Sequence, residues 1–163
     1  MRKLKYSVLL VALFALTLSV NAQQETTISN YWSHMNVINP AYVGSDGMTN
    51  WKSTIRSQWT GISDAPETQL FSFSTPVGKK VGLGMSIVND EVFIEKNTYV
   101  AFDFSYRLDM NNAELYLGLK AAAQFYSVDT ANLQTFNLLS DPALESKNTS
   151  YPNMGLGFLY VRD

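Results

Sequence analysis

The chain has 163 residues, with 12 Lys+Arg against 14 Asp+Glu, one His and no Cys. That length allows one domain. A single His and no Cys argue against a transition-metal site, and the acidic balance argues against a nucleic-acid partner, which wants a basic surface.

Arg2, Lys3 and Lys5 begin the chain as a basic cluster. Residues 8–18 follow as an apolar run shorter than the about 20 residues a bilayer span needs. Val20, Asn21 and Ala22 then put small or modest side chains where a signal peptidase reads. Residues 1–22 are therefore expected to be a secretory signal peptide, cleaved before Gln23. No Cys follows, which excludes a lipoprotein anchor. Without Arg2, Lys3 and Lys5 the mature chain keeps nine basic residues against fourteen acidic ones, a net charge of −5. No second apolar run reaches spanning length. A small secreted domain without disulfides needs another source of stability, such as a sheet closed in a membrane.

Residues 23–49 form a polar lead with aromatic punctuation. A short helix is expected near residues 28–37, a turn at Asn39-Pro40 and a loop at residues 44–47. Tyr31, Trp32, Pro40 and Tyr42 are the candidates for binding a partner or plugging a barrel. A local cap packed under the barrel is the equal alternative.

From residue 50 the pattern is strand after strand. The expected strands are residues 51–59, 69–75, 81–88, a hairpin over 99–126 turning at 109–113, and 154–161. The hairpin is the strongest signal. Val100, Phe102, Phe104, Tyr106 and Leu108 alternate with polar residues, as do Leu115, Leu117, Leu119 and Phe125. Period-two alternation of this length means strands with one apolar face. Connections are expected to alternate in length, with 60–68, 89–97 and 127–152 long and 76–80 and 109–113 short. That matches the short periplasmic turns and longer outer loops of outer-membrane barrels, and puts the mature N-terminus in the periplasm.

Lys52, Arg56, Asp103, Arg107, Glu114 and Lys120 all fall opposite the apolar face. A barrel requires this, because Lys or Arg facing lipid at the midplane costs about 2–4 kcal/mol. A half-exposed soluble sheet shows the same pattern. Trp51 and Trp59, read on one strand, would stand about 26 Å apart along it and about 20 Å apart vertically, like two aromatic girdles. These charges are expected to face a lumen and to pair across strands in preference to lining a channel, since both signs occur on adjacent strands. Small inward residues (Gly82, Gly84, Ser86, Gly118 and Ala122) leave room for a plug. The expected fold is all-β, a partial antiparallel outer-membrane β-barrel. About six strands fall short of the about 8 of the smallest single-chain barrels. The chain is thus expected to be a piece of a longer one, or to close with other chains.

Catalytic signals are absent. His34, the sole His, lies in the lead, and no Gly-x-Ser-x-Gly elbow accompanies it. Asp46 and Gly47 do not extend into a calcium loop, and Gly82 and Gly84 alternate with apolar residues in a strand instead of opening a helix. No enzyme activity, cofactor, metal or small-molecule substrate is expected.

Asn39-Pro40-Ala41-Tyr42-Val43-Gly44-Ser45 begins a resemblance that continues through Arg56-Ser57-Gln58-Trp59-Thr60-Gly61, Ala65-Pro66-Glu67-Thr68 and Gly82-Leu83-Gly84. Tyr106-Arg107-Leu108, Leu115 to Leu119 and Asp141-Pro142 keep the order. The chain resembles the PorP/SprF family of type IX secretion system membrane proteins, over the N-terminal half of a typical member. Val43 stands where the family would have Ala. The resemblance implies a non-enzymatic outer-membrane β-barrel of the secretion and gliding machinery. Its expected partners are outer-membrane lipid and either periplasmic ring components or a secreted adhesin. The alternative is a soluble secreted β-sandwich or small barrel binding an apolar ligand.

Overall fold

The computed structural model describes residues 28, 30–62, 64–130 and 146–162. The expected signal peptide and residues 131–145 lie outside them. Six strands form one antiparallel sheet in chain order: β1 (Asn50–Ser57), β2 (Glu67–Val77), β3 (Val81–Val92), β4 (Glu95–Met110), β5 (Ala113–Val128) and β6 (Lys147–Arg162). Among the described residues the sheet is not closed, and the fold is an all-β partial barrel. Ahead of it, the lead forms 3-10 turns at Tyr31–His34 and Pro40–Tyr42 around one helical turn, α1 (Met35–Ile38). No described helix is long and apolar enough to cross a membrane, which says nothing about strands.

The register turns period-two alternation into two continuous faces, because directly opposed residues point the same way. One row runs Trp51, Phe73, Met85, Phe102, Ala121, Met154; the next runs Thr75, Leu83, Phe104, Leu119, Leu156; a third runs Val77, Val81, Tyr106, Leu117, Phe158. No charged residue enters these rows. On this face, charge appears at strand ends, at Glu67, Glu91, Lys96 and Arg162. The face is uncovered among the described residues, with Phe102, Leu119, Leu156 and Phe158 all exposed. On β4 the stretch from Val100 to Leu108 spans about 27 Å along the strand, or about 20 Å vertically at a barrel tilt near 40°.

The opposite face carries the lead. Its rows include Lys52, Ser72, Ser86, Ala101, Ala122 and Asn153, and beside them Asp103, Lys120 and Gly155. The lead also shows that the sheet curls. His34 bonds to Thr54 on β1, and Asn39 bonds to Phe158 on β6. On a flat sheet those strands would lie about 24 Å apart at a spacing near 4.8 Å. Five residues of helical chain rise only about 8 Å, so the outer strands must wrap toward the lead.

Two expectations are corrected. The connection expected to be long at residues 89–97 is a two-residue turn at Phe93 and Ile94. Asn89, Asp90, Glu91 and Val92 pair with Thr98, Asn97, Lys96 and Glu95 and carry the hairpin onward. Their polarity marks strand beyond the apolar band, not loop; strands of 16 residues reach about 53 Å, well past such a band. Connection lengths therefore do not alternate regularly. The long connections are residues 58–66 and 129–146, at the same end as that turn. Trp59 is not on β1, which ends at Ser57; it sits in the following turn with φ 54°. Gln58 N–H bonds to Pro66 O and closes that loop, so the chain turns before Trp59 can share the face of Trp51.

Candidate functional site: the lead segment seated on the sheet

Asn39 starts the seat. Its side chain accepts the Ala41 N–H at 3.0 Å and caps the Pro40–Tyr42 turn, with Pro40 at the first position where its missing N–H is harmless. The same side chain donates to Phe158 O at 3.0 Å. The turn presses Pro40, Ala41 and Val43 against the wall, all fully buried. Tyr42 N–H and Val43 N–H bond back to Asn39 O and Pro40 O, so the lead holds its own shape.

The wall accepts this backbone because it lacks side chains there. A Cβ on Gly118 would stand 2.3 Å from Ala41 N, and one on Gly82 would stand 2.1 Å from Val43 O. Gly84 faces the Val43 methyls, and Gly157 faces Asn39 and Pro40. Hydroxyls finish the fit. Ser105 Oγ donates to Val43 O at 2.5 Å, and Ser74 Oγ accepts the Gly44 N–H at 2.9 Å. Gly44 has φ +69°, which reverses the chain against Pro76 and Gly82 where a side chain would collide.

His34 is a latch. Its Nδ1 lies 2.7 Å from Ser72 Oγ and its Nε2 2.9 Å from Thr54 Oγ1. A neutral imidazole donates from one nitrogen and accepts at the other, and the hydroxyls rotate to suit. Burial, then the nearby Lys52 ammonium, push its pKa below the ordinary imidazole value, which favours that neutral form. No Ser-His-carboxylate relay forms, since both partners are hydroxyls on the sheet wall.

Beneath α1 lies a buried ion pair. Lys120 Nζ is 2.8 Å from Asp103 Oδ1, and the two residues oppose each other directly across β4 and β5. Lys120 also donates to Asn36 O at 2.9 Å, so the pair reaches the lead. Toward the short turns, Arg107 pairs with Asp109 at 2.9 Å and Glu114 at 3.0 Å. Tyr116 donates to Glu114 at 2.7 Å. Lys52 and Arg56 occupy covered-face positions on β1, opposite Ser72 and Thr68.

The four lead candidates therefore separate. Pro40 is in the seat and Tyr42 is half-buried at its margin. Tyr31 and Trp32 stand out in solvent, Trp32 at 67% exposure, with rings edge-to-face at 5.8 Å. Sequence reasoning missed His34, Asn39, Ser72, Ser74, Ser105 and Gly157 as parts of the seat. Its usable signal was the stripe of small inward residues. Among the described residues no group of three His, Asp or Glu is placed to hold a metal ion.

Neither a curated protein nor a solved structure matches the chain. The family model described as "Type IX secretion system membrane protein PorP/SprF" matches residues 20–163, and the chain belongs to that family of type IX secretion membrane components.

Proposed function

We infer that this chain is a non-enzymatic, outer-membrane component of type IX protein secretion and gliding. Residues 1–22 direct export and are removed after Ala22. The six strands sit in lipid, and the lead lies on the periplasmic side. The observation that carries this reading is the uncharged apolar face running unbroken from β1 to β6. A soluble sandwich would cover such a face with a second layer, whereas a bilayer covers it without one. Lys52, Arg56, Asp103, Arg107, Glu114 and Lys120 then face the lumen and brace its wall, and Trp51 anchors at an interface of the band.

In this reading Tyr31 and Trp32 contact the partner, a periplasmic ring component or a secreted adhesin, while Pro40 and Tyr42 hold the lead in place. Exposed aromatics of this kind are enriched where proteins meet. The test has two parts. Carbonate washing of membranes should leave the protein in the pellet; its release without detergent would refute the membrane assignment. Affinity capture from cells should lose its specific partners in the Tyr31→Ala/Trp32→Ala double variant, with the protein still in the pellet. Unchanged capture would refute the partner role of the pair.

A further inference from the structure

The seat of the lead is shaped for a peptide backbone. Gly82 and Gly84 on β3, Gly118 on β5 and Gly157 on β6 form a track with no room for a Cβ beneath residues 39–43. Around it the wall offers its own donors and acceptors: Ser105 Oγ to Val43 O, Ser74 Oγ to Gly44 N, Lys120 Nζ to Asn36 O, and Phe158 O to the Asn39 amide. Side chains of the wall thus hold the main chain of the lead, while the missing Cβ atoms set how closely a backbone approaches.

The resident segment leaves the seat incompletely satisfied. Ser86 Oγ, Asp103 Oδ2 and Asn36 Nδ2 are buried without a hydrogen-bond partner among the described residues. Ser86 and Asp103 are at least nine-tenths buried and lie on the covered face of adjacent strands, offset by two residues in the register. A buried polar atom left unpaired opposes the state that buries it. The lead also commits little apolar surface to the track, chiefly Pro40, Ala41 and Val43. Its remaining holds are hydrogen bonds that water can replace.

We propose that the glycine track is a peptide-binding groove with residues 36–44 as its resident occupant. It takes in exchange a partner segment that forms the same capped turn, built on Asn-Pro followed by a small residue, with a hydrogen-bond donor directed at Asp103. This rests on the geometry of the groove and is independent of the secretory role.

The experiment uses the full chain in detergent micelles and a fluorescein-labelled synthetic peptide of residues 34–45, read by fluorescence anisotropy. Saturable binding is expected. The same peptide with Asn39→Ala and Pro40→Ala should bind about tenfold more weakly or worse, having lost the Asn39 hydrogen bonds. Hydrogen exchange at the chain's own Val43 and Gly44 amides should quicken as unlabelled peptide is added. Gly118→Ala and Gly157→Ala should each abolish binding while the β signal in circular dichroism persists; if one unfolds, the other decides. Absence of saturable binding to the unsubstituted chain would overturn the proposal. So would equal binding of the substituted peptide, or binding that leaves Val43 and Gly44 exchange unchanged.

Discussion

Gly118→Ala separates the seat of the lead from the sheet that carries it. By strand preference alone the change should help, since Gly in a strand interior is worse than Ala by about 0.5–1 kcal/mol. The seat reverses that sign. The new methyl would stand 2.3 Å from Ala41 N, 2.5 Å from Pro40 C and 2.8 Å from Ala41 Cα, all of them backbone. Ordinary contact begins near 3.4 Å, so the lead must rise by about 1 Å, at the about 1–3 kcal/mol typical of overpacking. That rise stretches the 3.0 Å bond from Asn39 to Phe158 O beyond useful length, adding about 1 kcal/mol. Set against the strand gain, the docked lead is weakened by about 1–3 kcal/mol, and each 1.4 kcal/mol multiplies the undocked fraction about tenfold. Gly155→Ala is the control. There the new methyl meets Lys120 Cβ at 3.3 Å and its flexible Cδ at 3.7 Å, away from the lead backbone. Limited proteolysis in micelles, scored for cuts within residues 30–49, reads the difference. Faster cutting is expected in Gly118→Ala alone. Equal protection in Gly118→Ala, or equal loosening in Gly155→Ala, would refute the steric account.

Lys120→Met strands the Asp103 carboxylate beneath α1 and should destabilise the protein by about 3–5 kcal/mol, whereas Asp103→Leu/Lys120→Met should recover most of the loss. Urea midpoints in micelles check both variants, and a double variant no better than the single would refute the pairing. Docking of the lead should depend on pH through His34, whose pKa burial and Lys52 hold below the ordinary value. The undocked imidazole gains its proton near pH 6.5, before the docked one does. Docking is therefore strongest above about pH 6.5 and weakens as pH falls from there toward the lowered value. Proteolysis of the lead followed from about pH 8 to pH 5 should show this, and His34→Gln should flatten the profile. Phe104→Arg places a charge in the centre of the apolar face and should cost about 2–4 kcal/mol if that face meets lipid. The carbonate-resistant fraction should fall, and an undiminished fraction would argue against lipid contact.

The sequence by itself determined which residues share a face. A side chain in a strand alternates sides whatever the strand pairs with, so the parity of Phe102, Phe104, Leu117 and Leu119 against Asp103, Arg107 and Lys120 was legible before any fold was known. Strand extent was less legible. Asn89 to Glu91 and Glu95 to Thr98 are polar because they run beyond the apolar band, and polar strand reads like loop until the partner residues are known. Trp59 looked like the end of β1 because alternation continues through it, while the bond from Gln58 to Pro66 turns the chain first. The seat of the lead was decided only by tertiary structure. Residues 30–49 have no periodicity to follow, and their holds come from β1 through β6, strands up to 119 residues away along the chain. Small inward residues announced a vacancy at Gly82, Gly84 and Gly118. Only the curled sheet brings those glycines, with Gly157 and the hydroxyls of Ser72, Ser74 and Ser105, around one short segment, because steric fit depends on positions in space that no local pattern encodes.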